Sequence, residues 1–133
     1  MADMSIDDAA KLDWDLVALP GGMPGAEHLR DSDALISLLE RQNKEGKWYG
    51  AVCASPAVVL ASKGLAAEGA TCYPAPVFRE TLTNPVNDEV VVTDNLTTSQ
   101  GPGTCLKFAL QLGENLYGKE KADEVAAGLL VQR

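Results

Sequence analysis

The sequence predicts an α/β fold built around a largely parallel sheet. Short apolar runs alternate along the chain with longer segments whose apolar residues recur at helical spacing. Turns of small residues follow the apolar runs at three places, namely Gly21–Gly22, Cys53–Ala54 and Gly101–Gly103. Because ligands bind outside the carboxyl ends of the strands in such sheets, we expect these three turns to converge on one site.

Length, charge and cysteine content narrow the class of protein. A chain of 133 residues predicts one domain, residues 1–133, which is large enough to bury a real core. A net charge of −8 argues against nucleic acid and anionic membranes as partners, since both favour clustered Lys and Arg. The three cysteines form no CxxC motif, and free thiols indicate a reducing compartment, so we expect a cytoplasmic protein.

The first elements are a short helix and a strand. Ser5 is a suitable cap for the helix. Residues 15–19 (DLVAL) are mostly apolar, which is typical of a strand buried on both faces, and Pro20 ends the run. The segment PGGMPGAEHLR, residues 20–30, is so rich in glycine and proline that we expect a loop.

The middle of the chain predicts two helices flanking a second buried strand. Asp31 or Ser32 is placed to cap a helix over residues 33–44. Residues 48–52 form the strand, and a helix over 55–63 follows Cys53 directly. The remaining predicted elements are a short strand at 70–73, a helical turn at 77–82, a strand pair at 86–93 and 96–99, and helices over 104–117 and 119–131.

Cys53 lies at the centre of the most informative stretch, WYGAVCASPAVVLASKG. A strand that ends in a reactive side chain and turns at once into a helix is a nucleophile elbow. The helix N-terminus places free N–H groups beside the sulfur, which favours the thiolate over the thiol. The alternative is a small buried core cysteine, because free cysteine is among the most buried residue types.

Four further residues are candidates for the same site. The N–H groups of Gly21, Gly22 and Ala54 are placed to stabilise an oxyanion if a thiolate adds to a carbonyl. The alternative for the glycine pair is a plain turn that needs a positive φ, which would be preferred if Cys53 were not nearby. Tyr73 ends the predicted third strand and either directs its hydroxyl at the sulfur or simply packs there. The GPGT turn lacks the lysine of a P-loop, so a nucleotide site is a weak interpretation.

The other titratable residues have simpler interpretations. His28, the only histidine, is either a base for the thiol or a solvated loop residue, and the second is favoured. One histidine without a Cys/His cluster makes a zinc site improbable, and we expect no metal. Cys72 is interpreted as core and Cys105 as a helix-face residue.

Five motifs together resemble the ThiJ/PfpI superfamily, in the branch of the Parkinson-disease-associated protein deglycase and its bacterial and plant relatives. They are DLVALPGGMPGAEHLR, AVCASPAVVLA, YPAPVF, TSQGPGT and YGKEKADEVA. The resemblance implies a flavodoxin-like fold with helices on both faces of the sheet, a homodimer and no cofactor. It implies that Cys53 is the elbow nucleophile and that the backbone N–H groups of Gly22 and Ala54 face the sulfur. Tyr73 stands where human-like members carry a histidine, and Gln100 where some members carry an arginine.

The resemblance also implies an absence at the N-terminus. A member of the family begins about fifty to sixty residues earlier, judged from a domain length near 180–190. The part before Met1 in such members holds the first strand, its following helix and a glutamate that hydrogen-bonds the cysteine. A sheet without that strand has an unpaired edge, so we expect a less stable, association-prone domain.

The function implied by the resemblance is that of a glyoxalase III or protein deglycase, acting on methylglyoxal or its early adducts through the Cys53 thiolate. The partner would be a small reactive aldehyde. A second hypothesis is a redox-sensing protective protein or holdase chaperone oxidised at Cys53. A third is a non-catalytic, truncated member of the family. Cysteine peptidase activity is disfavoured, because Ala54 replaces the histidine that follows the cysteine in that branch.

Overall fold

The computed structural model describes residues 1–133 and has a four-stranded sheet at its centre. The strands are β1 (Leu16–Leu19), β2 (Trp48–Val52), β3 (Val90–Thr93) and β4 (Leu96–Ser99), arranged in the order β1-β2-β4-β3. β1 pairs with β2, and β2 with β4, in parallel, whereas β3 lies antiparallel to β4. The predicted α/β fold with a mostly parallel sheet is confirmed.

Helices cover the sheet and connect its strands. The α-helices are α1 (Ile6–Ala9), α2 (Gly25–Arg30), α3 (Asp33–Lys44), α4 (Pro76–Arg79), α5 (Cys105–Tyr117) and α6 (Lys119–Gly128). A π-helix (Pro56–Leu60) continues into a 3₁₀ turn (Ala61–Lys63), and a second 3₁₀ turn (Pro102–Thr104) precedes α5. None of these helices combines the length and the apolar character needed to cross a bilayer.

The two faces of β2 bury different helices, as the alternation of side chains along a strand requires. Tyr49 and Ala51 belong to the main core cluster together with the apolar side of α3. Val52 packs with Phe108 and Leu112 of α5 on the opposite face. The sheet is therefore covered by helices on both sides, and the carboxyl ends of β1, β2 and β4 meet at one edge of the molecule.

Helix starts follow the capping signals in the sequence. The Ser5 hydroxyl accepts a hydrogen bond from the Asp8 N–H at 3.2 Å, and the Ser32 hydroxyl accepts one from the Leu35 N–H at 3.3 Å. Each bond satisfies one of the free N–H groups in a first helical turn. Ser32 rather than Asp31 is thus the cap of α3, whose bounds are those predicted.

Two predictions for the first third of the chain are wrong. The segment predicted as a loop contains helix α2, which buries Ala26 completely in the main core cluster. Burial of Ala26 and packing of Leu29 outweigh the poor helix propensity of Gly25. Strand β1 is not buried on both faces, because Ala18 is exposed and only Leu19 is fully buried.

The segment after Cys53 and residues 70–73 also differ from prediction. Residues 55–63 are helical as predicted, but the helix is of the π type and tightens into a 3₁₀ turn. Residues 70–72 are buried and Tyr73 is exposed, but residues 70–73 form no strand. The Thr71 N–H donates to the Thr98 hydroxyl at 3.0 Å, so a side chain takes the place of a ladder partner.

Candidate functional site

Cys53 follows the last residue of β2 and has a strained backbone, with φ of 65°. A positive φ is unfavourable for a residue with a Cβ and persists only where the surroundings enforce it. The Cys53 N–H donates to the Ser99 carbonyl at 3.0 Å, and the Tyr73 N–H donates to the Cys53 carbonyl at 2.8 Å. These two bonds hold the elbow between β4 and the segment ending at Tyr73, and leave the half-buried thiol at the carboxyl end of the sheet.

The loop after β1 lies directly against this cysteine. A Cβ added to Gly21 would fall 2.4 Å from the Cys53 Cβ, 2.9 Å from the Val52 carbonyl oxygen and 3.3 Å from the Cys53 Sγ. No side chain fits in that space, so only glycine permits the approach. The predicted juxtaposition of the first two turns is present in the structure.

Two backbone N–H groups beside the thiol have no acceptor within the chain. Gly22 adopts a φ of 88°, which favours glycine, and its N–H makes no hydrogen bond. The Ala54 N–H is also without an acceptor, although Ala54 itself is 2% exposed. Gly22 is exposed and Ala54 is buried, and the free N–H groups of both are donors available to a negatively charged oxygen that forms on a bound molecule.

The third turn, at Gly101–Gly103, lies against the ring of Tyr73. Gly101 is buried, and a Cβ added there would lie 3.5 Å from the Cδ2 of the Tyr73 ring. The ring also meets Phe78 edge-on, with centroids 6.3 Å apart, and the side chain remains 45% exposed. Its hydroxyl donates to no group of the protein, so the structure brings Tyr73 to the rim of the site as a packed ring.

No acid or base side chain is bonded to the thiol. The Cys53 Sγ takes part in no hydrogen bond, and His28 is exposed on α2. Burial raises the pKa of the Cys72 thiol to about 11, so this cysteine is predominantly protonated near neutral pH. Cys105 is exposed at the start of α5. The predictions that Cys72 is core and Cys105 lies on a helix face are confirmed.

Sequence reasoning missed the part that Ser55 plays in this arrangement. A serine immediately before a proline at a helix start is ordinarily interpreted as a cap. Here the hydroxyl makes no capping bond and instead donates to the Pro20 carbonyl at 2.5 Å, across 35 positions of sequence. Only the folded chain shows this partner.

Cys53 lines none of the larger cavities of the chain. One, of about 590 Å³, has a charged lining in which Arg133 is paired with Glu114 and Asp123. Another, of about 450 Å³, is an apolar groove lined by residues of β1, α1, α2 and α3. Neither contains a cluster of His, Cys, Asp or Glu with the grouping of a metal site.

Comparison with known proteins identifies relatives over almost the whole chain. A profile of the DJ-1/PfpI family matches residues 1–115. The chain is 42% identical over 98% of its length to protein DJ-1 homolog B of Arabidopsis thaliana, and 35% identical over 98% to glutathione-independent glyoxalase DJR-1.2 of Caenorhabditis elegans. The structure of oxidized Toxoplasma gondii DJ-1 superposes with a TM-score of 0.93, at 42% identity over 99% of this chain.

The relatives are longer than this chain. It spans 30% of the Arabidopsis protein, 70% of the Caenorhabditis elegans protein and 72% of the Toxoplasma gondii chain. The shared part nevertheless includes the whole of the sheet described above and every residue placed around the half-buried thiol.

Proposed function

The chain belongs to the DJ-1/PfpI family, and from that premise we propose that Cys53 is the nucleophile of a cofactor-independent glyoxalase III- or deglycase-type enzyme. The substrate is methylglyoxal or one of its early adducts. The name of the Caenorhabditis elegans relative, a glutathione-independent glyoxalase that is 35% identical, supports this class of reaction.

The proposed reaction begins with addition of the Cys53 thiolate to the aldehyde carbon. A carbon–sulfur bond forms, and the carbonyl π electrons move to the oxygen, giving the oxyanion of a hemithioacetal. The unpaired N–H groups of Gly22 and Ala54 donate to this oxygen. A base then moves the C1 proton to C2, which gives a lactoyl thioester, and water hydrolyses the thioester to lactate and frees Cys53.

The observation that carries the proposal is the strained elbow together with its unpaired donors. Cys53 has a φ of 65° and is held by hydrogen bonds on both sides. Two N–H groups without acceptors flank it, and this arrangement supports attack of the thiolate on a carbonyl. No carboxylate or imidazole of these residues is hydrogen-bonded to the thiol as a base. For that reason we expect slow turnover from these 133 residues.

Substitution of the nucleophile tests the proposal directly. We expect Cys53→Ala to reduce lactate formation from methylglyoxal by at least ~100-fold, because the covalent step is lost. Cys105→Ser is the matched control, since it removes an exposed thiol from the same protein and should leave the rate unchanged. Lactate is measured by proton NMR, which separates enzymatic product from consumption of the aldehyde by other thiols. Equal rates for Cys53→Ala and the unsubstituted chain, or no lactate from the unsubstituted chain, would contradict the proposal.

A second candidate function is redox sensing at the same cysteine, in a protective or holdase protein. It is favoured by the difference between a half-buried Cys53 at the elbow and a fully buried Cys72, and the solved Toxoplasma gondii relative is described as oxidized. Oxidation proceeds on the thiolate through sulfenic to sulfinic acid. After mild peroxide treatment we expect mass spectrometry to find added oxygen on Cys53 before Cys72 or Cys105. Equal reactivity of all three thiols would exclude this function.

We further propose that the working protein is a cytoplasmic homodimer. The three cysteines are free, which suits a reducing compartment, and the net charge of −8 suits a protein that binds neither nucleic acid nor anionic membranes. The partners of the protein are then a small aldehyde, which is its substrate, and a second copy of the polypeptide.

A further inference from the structure

The loop after β1 is held against Cys53 beyond the point where the sheet ends. The last residue pair of the β1–β2 ladder is Leu19 with Ala51. Pro20 follows without an N–H, so it has no donor with which to extend the ladder. No backbone hydrogen bond joins residues 20–22 to residues 53–55.

One side chain replaces the missing backbone bonds. The Ser55 hydroxyl donates to the Pro20 carbonyl at 2.5 Å, and Ser55 has no exposed surface. It is the single hydrogen bond that connects the loop after β1 with the elbow. The hydroxyl makes no other hydrogen bond, and it does not cap the π-helix that begins at the next residue.

The contact acts at the residues that face the thiol. Pro20 is bonded directly to Gly21, whose backbone approaches so closely that an added Cβ would lie 3.3 Å from the Cys53 Sγ. Gly22, with its unpaired N–H, is the next residue. A shift of the Pro20 carbonyl away from Ser55 therefore moves the Gly22 donor relative to the sulfur.

We propose that Ser55 is a positioning residue of the Cys53 site, whose hydroxyl fixes the Pro20–Gly22 loop so that the Gly22 N–H points at the developing oxyanion. This inference rests on the proposed aldehyde chemistry for its kinetic consequence, but the tether itself is a structural statement. Ser55 touches no substrate atom and acts only through the loop.

Ser55→Ala tests the proposal, with Ser62→Ala as its matched control. Ser62 lies in the same helical segment and is exposed, and its hydroxyl bonds only to the nearby carbonyls of Val58 and Val59. For Ser55→Ala we expect kcat for methylglyoxal to fall by ~10-fold with KM within ~2-fold, because an oxyanion donor is misplaced while binding is retained. NMR order parameters of the Gly21 and Gly22 amides should fall from about 0.85 toward about 0.6, as expected when a rigid loop is released. Ser62→Ala should change neither quantity.

The two measurements separate this inference from the proposed function. A purely structural role for Ser55 predicts a lower midpoint of unfolding with unchanged kcat below that midpoint, and such a result would overturn the proposal. Unchanged order parameters at Gly21 and Gly22 in Ser55→Ala would overturn it as well. If the unsubstituted chain forms no lactate, the proposed function fails, and the order-parameter measurement alone then decides whether the tether exists.

Discussion

The carboxyl end of the sheet and the free edge of β1 differ in how completely their backbones are bonded. Around Cys53, two backbone hydrogen bonds and the Ser55 hydroxyl bring three separate segments together. Along β1, hydrogen bonds form only toward β2, and the other edge borders an apolar groove. The comparison shows that a chain can hold the segments around Cys53 closely together while one side of its sheet remains open to another strand.

The opposite edge of the sheet is protected by charge. β3 is also an edge strand, but the groove beside it is lined by polar and charged side chains, including the Lys107–Glu89 ion pair. Charged residues at an edge discourage pairing with another chain. The groove at β1 has no such protection, since ten of its 13 lining residues are hydrophobic.

The largest expected effect comes from breaking the close approach at the site. Gly21→Ala should destabilise the chain by ~2–3 kcal/mol, because its Cβ would overlap the Cys53 Cβ and the Val52 carbonyl. Gly25→Ala is the control in the same loop-to-helix region, since an added Cβ there meets nothing within 4 Å. It should leave stability unchanged or raise it by up to ~1 kcal/mol. Urea unfolding followed by circular dichroism measures both, and equal midpoints for the two variants would show that the approach is not tight.

A smaller effect is expected from protecting the open edge. We expect the chain to self-associate through β1, and Ala18→Lys should weaken that association by ~10-fold, or ~1.4 kcal/mol, because a charge on an edge strand disfavours pairing. Val92→Lys is the matched control, since Val92 is exposed on the other edge strand, β3. Sedimentation velocity over a range of protein concentrations gives the comparison. A monomeric unsubstituted chain, or equal effects of the two lysines, would contradict the role assigned to the β1 edge.

Local signals in the sequence were sufficient wherever the deciding interaction was local. A cap at Asp31 or Ser32 and the apolar spacing predicted α3 at about residues 33–44, which are its observed bounds, and Asp94–Asn95 marked the turn between β3 and β4. Cys53 was predicted as an elbow because an apolar strand and a helical pattern meet there, and its positive φ agrees with that geometry. These features depend on contacts within a few positions of sequence, which a pattern records directly.

Predictions from local pattern were wrong where a distant partner decided the outcome. Residues 70–73 have the composition of a strand, but they form no ladder. The Thr71 N–H donates to the Thr98 hydroxyl, and the Tyr73 N–H donates to the Cys53 carbonyl. Helix α2 formed in a glycine- and proline-rich segment because Ala26 is buried against the core. β1 is apolar enough for a central strand, yet it lies at an edge.

The sequence by itself determined the α/β class, the position of the Cys53 elbow and the family, because each depends on adjacent residues or on the text of linked motifs. Only the tertiary structure decided that Ser55 bonds to Pro20 across 35 positions, that Gly21 lies against the sulfur, and that one side of β1 is open. The physical reason is that hydrogen bonds and close packing between distant segments depend on the path of the whole chain, which no local pattern encodes.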